Sequence, residues 1–188
     1  MPDAIVYLAR HATPDWSRRD IRYDVPPGPP LTPQGQAEAR LLGQFFQEVG
    51  ITRLYASPLE RTRHTAALAA EVAGIPVFEE EAIAEWRLGE SAEEVLSRFR
   101  AFWEEACTES ARRGPIGLVT HGGPIRVLLE ELGVDPGLLA QYQNQFDNRN
   151  PLPPAGVWLT RSAHGQDGWH LELVFTPQQP ASVQHNTV

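Results

Sequence analysis

Apolar residues along the chain switch repeatedly between two periods. Residues 4–9, Ala-Ile-Val-Tyr-Leu-Ala, form an unbroken apolar run of strand length. From Thr32, the stretch Thr-Pro-Gln-Gly-Gln-Ala-Glu-Ala-Arg-Leu-Leu-Gly-Gln-Phe-Phe opens with a capping residue and repeats its apolar positions at helical spacing. Residues 53–57 read as a second strand, 59–73 as an Ala-rich helix stopped at Gly74, and 76–83 as another extended segment. Ser91-Ala-Glu-Glu is a capping box, with Ser91 set to accept from the Glu94 N–H, and predicts a long helix reaching about Arg112, with Gly114 ending it. Residues 116–120 form a buried-type strand that runs at His121 into a helix with Pro124 in its first turn. Strands over 156–162 and 169–175, joined by the turn-rich Ala163-His-Gly-Gln-Asp-Gly, predict a closing hairpin.

Alternating strands and helices predict an α/β fold, a three-layer α/β/α sandwich around a mostly parallel central sheet, with the ligand site in the crevice at the carboxyl ends of the strands. One domain is expected over residues 1–175, with a proline-rich loop at 24–30 and a mobile tail at 176–188 that lacks periodicity.

Composition narrows the function. With 16 basic and 24 acidic residues the formal charge is -8, so nothing favours nucleic acid or an anionic membrane, and any anion must be caught by local groups. Cys107 is the only cysteine, which excludes an intrachain disulfide and suits a reducing cytoplasm. No apolar run is long enough to span a bilayer, and no Cys and His cluster has metal-site spacing. The sequence implies no cofactor and leaves the oligomeric state unread.

The chemistry-bearing residues fall where strands end. Arg10 and His11 close the first strand, Ser57 closes the second with Arg61 one turn into the following helix, and His121 stands where a strand meets a helix start. Guanidinium groups can neutralise phosphate oxygens while an imidazole attacks phosphorus, with no metal required. An alkoxide leaving group must then be protonated, which neither arginine does readily; Glu85 is the candidate acid, with Trp86 beside it to favour the protonated form. Arg61 near a helix start opposes the helix dipole unless an anion binds there. Arg63, His64 and Arg126 read as surface residues, Trp16 and Trp86 suit either the pocket mouth or plain packing, and Trp103, Trp158 and Trp169 read as packing.

These blocks resemble the histidine phosphatase superfamily, also called phosphoglycerate mutase-like. Leu8-Ala-Arg-His-Ala-Thr-Pro-Asp-Trp16 is similar to its Arg-His-Gly opening and Leu31-Thr-Pro-Gln-Gly-Gln-Ala37 to its next helix start. Ser57-Pro-Leu-Glu-Arg-Thr-Arg-His-Thr-Ala66 matches its Ser-x-x-x-Arg-Thr-x-x-Thr-Ala block and Val119-Thr-His-Gly-Gly123 its last catalytic block. The resemblance implies His11 as nucleophile, Arg10, Arg61 and His121 as phosphate contacts, and Glu85 as proton donor within Ile83-Ala-Glu-Trp-Arg-Leu-Gly89. Three positions depart from the pattern. Ala12 replaces the usual glycine, Ser17 stands where many relatives carry a phosphate-contacting Asn, and Gly89-Glu-Ser91 leaves almost no room for a capping insert.

The resulting expectation is a metal-independent phosphatase that acts on phosphomonoesters through a phosphohistidine intermediate. Its partner would be a phosphorylated small molecule, or a phosphoprotein reached through an open site. A protein phosphohistidine phosphatase, a phosphoglycerate mutase-type phosphotransferase and a non-catalytic phosphate-binding adaptor stand as alternatives.

Overall fold

The computed structural model describes residues 3–147, 149–162 and 168–177. Among these residues six strands form one sheet in the order β3-β2-β4-β1-β5-β6. Strands β1 (Ile5–Arg10), β4 (Ile116–Thr120), β2 (Arg53–Ala56) and β3 (Val77–Glu79) run parallel, while β5 (Val157–Ser162) and β6 (Trp169–Phe175) pair antiparallel at the other edge. Two apolar clusters, one on each face of the sheet, make the three layers. One carries Leu42 and Phe46 of α1 (Pro33–Glu48) with Ala66 and Ala69 of α2 (Glu60–Ala73). The other carries Phe99 and Trp103 of α3 (Ala92–Arg113), Ile125 and Leu128 of α4 (Gly122–Glu131), and Leu139 of α5 (Pro136–Phe146). Trp158 and Trp103 are buried in this second layer, and Trp169 packs on Trp103, in keeping with packing roles.

Local signals account for most boundaries. Thr32 caps α1 by accepting from the Gly35 N–H at 3.0 Å, and Ser91 and Glu94 form the reciprocal capping box that starts α3. Gly74, with φ of 70°, ends α2. The segment over 76–83 is not one extended stretch: after β3, the Glu80 side chain accepts from the Ala82 N–H at 2.9 Å and initiates a 3-10 turn, Glu81–Ile83. Helix α5 is absent from the reading of hydrophobic pattern, because Leu139 is its only buried residue. The connection expected between β5 and β6 falls mainly on 163–167, and most of the expected tail on 178–188; both lie outside the described residues.

Adjacency within the sheet positions the site. The β1–β4 ladder runs to Arg10 opposite Thr120, and His11 extends it by donating its N–H to the Thr120 carbonyl at 2.9 Å. Ser57 likewise extends the β2–β4 ladder onto the Val119 carbonyl at 3.0 Å. Strands β2, β4 and β1 are neighbours, so their carboxyl ends deliver Ser57, His121 and His11 side by side.

Candidate active site

His11 is buried, and its Nδ1 lies 2.8 Å from the Ala12 carbonyl. A carbonyl only accepts, so Nδ1 carries the proton and Nε2 keeps its lone pair. Burial, then the positive charges of Arg61 and Arg10, hold the His11 pKa well below the usual value of 6.5, so the ring stays neutral. The His121 ring lies 5.3 Å from it, centroid to centroid, and is held neutral by burial and then by Arg61. Arg61 can only donate, so its 3.2 Å contact with His121 Nδ1 leaves that nitrogen as acceptor, and Nε2–H donates to the Ser57 hydroxyl at 2.7 Å.

Glu85 joins this network from the segment between the 3-10 turn and α3. Its Oε2 accepts from Arg61 at 3.0 Å and lies 3.3 Å from His121 Nδ1, while Oε1 accepts from the Trp86 N–H at 2.8 Å. The same Arg61 nitrogen thus faces both Oε2 and the lone pair of Nδ1. Burial raises the Glu85 pKa above the usual 4.5, in opposition to the neighbouring Arg61 charge. Arg98 fixes the segment by donating to the carbonyls of Ala82, Ala84 and Glu85 at 2.8–3.0 Å. Glu85 is thus paired with Arg61 rather than with Arg87, whose partner is Glu81. Trp86 is half-buried beside Gly123, with its indole N–H bound to the Glu90 carbonyl at 2.9 Å.

Arg61 is fully buried, with one terminal nitrogen donating to the Tyr23 carbonyl at 2.6 Å beneath the proline-rich loop. Arg10, near the floor of the cavity, donates to Asp147 at 2.6 Å and to the Leu152 carbonyl at 3.1 Å. In both arginines the buried Nε has no hydrogen-bond partner among the described residues. An unpaired buried donor costs about 1–3 kcal/mol, which an acceptor brought to either Nε would relieve. The third such atom, Arg53 Nε, belongs to a guanidinium on Phe78 and Glu109.

Beside these groups opens a cavity of about 540 Å³, lined by Arg10, His11 and Glu85 and by the exposed Trp16 and Tyr23. Gly122 and Gly123, at the start of α4, line it too; the His121 side chain does not cap that helix, so the first N–H groups remain available to an anion. A larger groove of about 890 Å³ runs past Arg63, His64 and Phe78, but none of Arg10, His11, Arg61, Glu85 or His121 lines it. Chemistry, rather than size, selects the smaller cavity. Among the described residues, no cluster of three or more His, Cys, Asp or Glu could hold a metal ion.

The sequence pattern of the histidine phosphatase superfamily (branch 1) matches residues 6–90 and 87–150. The chain belongs to the histidine phosphatase superfamily. Curated relatives include a protein of Photorhabdus laumondii named probable phosphoglycerate mutase GpmB, 29% identical over 182 residues, with 77% of this chain and 80% of the relative covered. A protein of the same name in Serratia proteamaculans is 35% identical over 91 residues, which is 48% of this chain but only 42% of the relative. Among solved structures, a mycobacterial glucosyl-3-phosphoglycerate phosphatase superposes with a TM-score of 0.71 at 19% identity, covering 91% of this chain and 98% of its own. A phosphoglycerate mutase from Bacillus anthracis gives 0.72 at 17%, covering 92% and 93%. At such identities the structural likeness concerns the fold.

Against that superfamily the three departures resolve as follows. Ala12 is fully buried, has no positive φ and donates its N–H to Thr65 at 3.0 Å, so the missing glycine imposes no strain. Arg10, His11 and Glu85 line the cavity, and Arg61 and His121 are buried against Glu85 without lining it, whereas Ser17 is exposed with its hydroxyl bound to Asp15 at 2.5 Å. Only residues 86–91 separate Glu85 from α3, so the cap region is minimal. Sequence reasoning missed Asp147 and Arg98. No local pattern links Asp147 to Arg10 across 137 positions, whereas Arg98 sits in the helix announced by the capping box.

Proposed function

We propose that the protein is a metal-independent phosphatase acting on phosphomonoesters through transient phosphorylation of His11. Superfamily membership supports phosphoryl chemistry at the coarse level. The observation that carries the finer reading is the arrangement in the cavity: a neutral buried imidazole with Nδ1–H fixed on the Ala12 carbonyl, and a carboxyl group lining the same cavity whose pKa burial raises. Nε2 of His11 attacks phosphorus as the ester P–O bond breaks. Arg10, Arg61 and the start of α4 hold the non-bridging oxygens, and Glu85 gives its proton to the departing alkoxide. Water then attacks the phosphohistidine with the Glu85 carboxylate as base, the N–P bond breaks, and inorganic phosphate leaves.

The short connection over 86–91 favours a second reading, a protein phosphohistidine phosphatase, since an uncapped cavity admits a bulky phosphoprotein. That reaction has a good leaving group and little need of Glu85. A reducing, cytoplasmic setting fits a chain whose single cysteine is buried.

The test is rapid quench with a labelled phosphomonoester. A base-stable, acid-labile phosphoenzyme should form in the native protein and be absent, along with turnover, in His11→Ala, with rates unchanged by chelators. Turnover that survives His11→Ala, or that needs a divalent ion, overturns the proposal.

A further inference from the structure

Glu85 is carried by backbone that no ladder stiffens, since residues 84–91 belong to no helix or strand. Four successive carbonyls leading up to it, those of Ala82, Ile83, Ala84 and Glu85, instead accept from side chains. The Thr120 hydroxyl, beside His121 at the end of β4, holds the Ile83 carbonyl at 2.6 Å. The other three go to one guanidinium, that of Arg98 in the second turn of α3.

The rest of that guanidinium goes to Glu90. Nε donates to Oε1 and a terminal nitrogen to Oε2, both at 3.0 Å. All five N–H groups of Arg98 are therefore used. Glu90 is tied back in turn: its Oε2 accepts from the Arg87 N–H at 2.8 Å and its carbonyl from the Trp86 indole at 2.9 Å. The two side chains are only 19% and 18% exposed, so water does not readily replace a lost bond.

A general acid must come within about 2.6–3.2 Å of the atom it protonates, and a misplacement of ~1 Å can cost about 10²-fold. Arg98 does not line the cavity, and none of its bonds reaches Arg10, His11 or Arg61. Its route to the chemistry runs through Glu85.

We infer that Arg98, with Glu90 as its counter-ion, is a positioning residue for the leaving-group step, fixing the backbone from which the Glu85 carboxyl reaches the cavity. This rests on the phosphatase reading of the site. Phosphate holding is left to other groups, so the two should separate on substitution.

The test is a double-mutant cycle on single-turnover phosphorylation by propyl phosphate and p-nitrophenyl phosphate. Arg98→Gln should slow the propyl reaction at least tenfold when Glu85 is present, and twofold or less in Glu85→Gln, where no acid is left to misplace. The propyl-over-nitrophenyl ratio should fall with the first loss, while inhibition by inorganic phosphate changes less than twofold. Arg98→Lys keeps the positive charge that, after burial and Arg61, helps to hold His121 neutral. Its three donors on one nitrogen cannot cover five acceptors, so it should behave like Arg98→Gln. Equal slowing in both backgrounds, inhibition by phosphate weakened as much as the rate, or native rates in Arg98→Lys would each overturn the inference. If Arg98→Gln fails to fold, Glu90→Gln, which removes one oxygen from the fork, enters the same cycle, with a loss of about threefold expected only where Glu85 is present. If Glu85→Gln alone leaves the ratio unchanged, the acid reading falls, whereas slowing by Arg98→Gln confined to the Glu85 background still sets Arg98 behind Glu85.

Discussion

Glu85→Gln tests the acid role, provided the damage it does by other routes is separated out. Each carboxylate oxygen accepts a hydrogen bond, Oε2 from Arg61 at 3.0 Å and Oε1 from the Trp86 N–H at 2.8 Å. Glutamine has one oxygen, so whichever way its amide turns, one of these donors meets an NH₂ group. For a side chain only 13% exposed, that mismatch costs about 1–3 kcal/mol, and it slows every substrate by a common factor. Loss of the proton acts differently, because its cost depends on how badly the leaving group needs one. General acid catalysis is typically worth about 10²–10⁴-fold, or ~2.7–5.4 kcal/mol, for an alkoxide, and far less for p-nitrophenolate. The ratio of single-turnover phosphorylation rates, alkyl phosphate over p-nitrophenyl phosphate, should therefore fall by about 10²-fold or more in the variant. The raised Glu85 pKa adds a second signature: in the native protein the alkyl rate declines as pH rises through that pKa, and this limb should vanish in Glu85→Gln. An unchanged ratio, with both substrates slowed alike, would make Glu85 a positioning group and refute the acid mechanism.

Three further outcomes are expected. Asp147→Ala releases the Arg10 guanidinium and should weaken inhibition by inorganic phosphate about tenfold, with Asp147→Asn, whose amide oxygen still accepts, weakening it less; equal inhibition constants in all three proteins would deny Asp147 any hold on the anion site. Because the folded pKa values of His11 and His121 lie well below 6.5, the unfolded chain binds more protons in the window beneath that value, so stability is full above pH 6.5 and is lost as pH falls. Urea midpoints between pH 7.5 and 5, taken in Glu85→Gln to remove the opposite contribution of that carboxyl, should decline, and a flat profile would contradict neutral buried rings. In Gly35→Ala the new Cβ would stand 2.2 Å from the Thr13 carbonyl oxygen; displacing that backbone should outweigh the ~1 kcal/mol helical gain and destabilise by about 1–3 kcal/mol in urea unfolding, whereas a stabilised variant would show the contact to be absent.

The parts of the fold with local causes were legible. Capping by Thr32 and Ser91 and the glycine stops at Gly74 and Gly114 each write a boundary into a few neighbouring residues. Strand ends then brought His11, Arg61 and His121 to one edge without any knowledge of contacts. Other features had no signal of that kind. Helix α5 buries little and so shows no strong apolar period, although Asp135-Pro136, a cap followed by proline at the first helical position, was a readable start. Asp147 became meaningful only when the far end of that helix met Arg10. The 3-10 turn was hidden because Glu80 acts through its own side chain in a segment whose preceding strand is wholly exposed. Arg126 illustrates the opposite limit: it does form the surface pair expected of it, with Glu130, and also faces the cavity.

That β2, β4 and β1 lie side by side while their residues lie far apart in sequence has a consequence for how the protein acquires its site. Arg10, Arg61 and His121 meet only after two parallel crossovers have closed, the slowest kind of contact for a chain to search out. On the proposed function, no local fragment holds the anion, so phosphate affinity should appear with the assembled sheet and not before. On the same reading, phosphate or vanadate would be a ligand of the native state alone, and at a hundred times its dissociation constant should add about 2.7 kcal/mol to unfolding. Refolding followed by anion binding should lag behind helix formation and coincide with burial of the central strands.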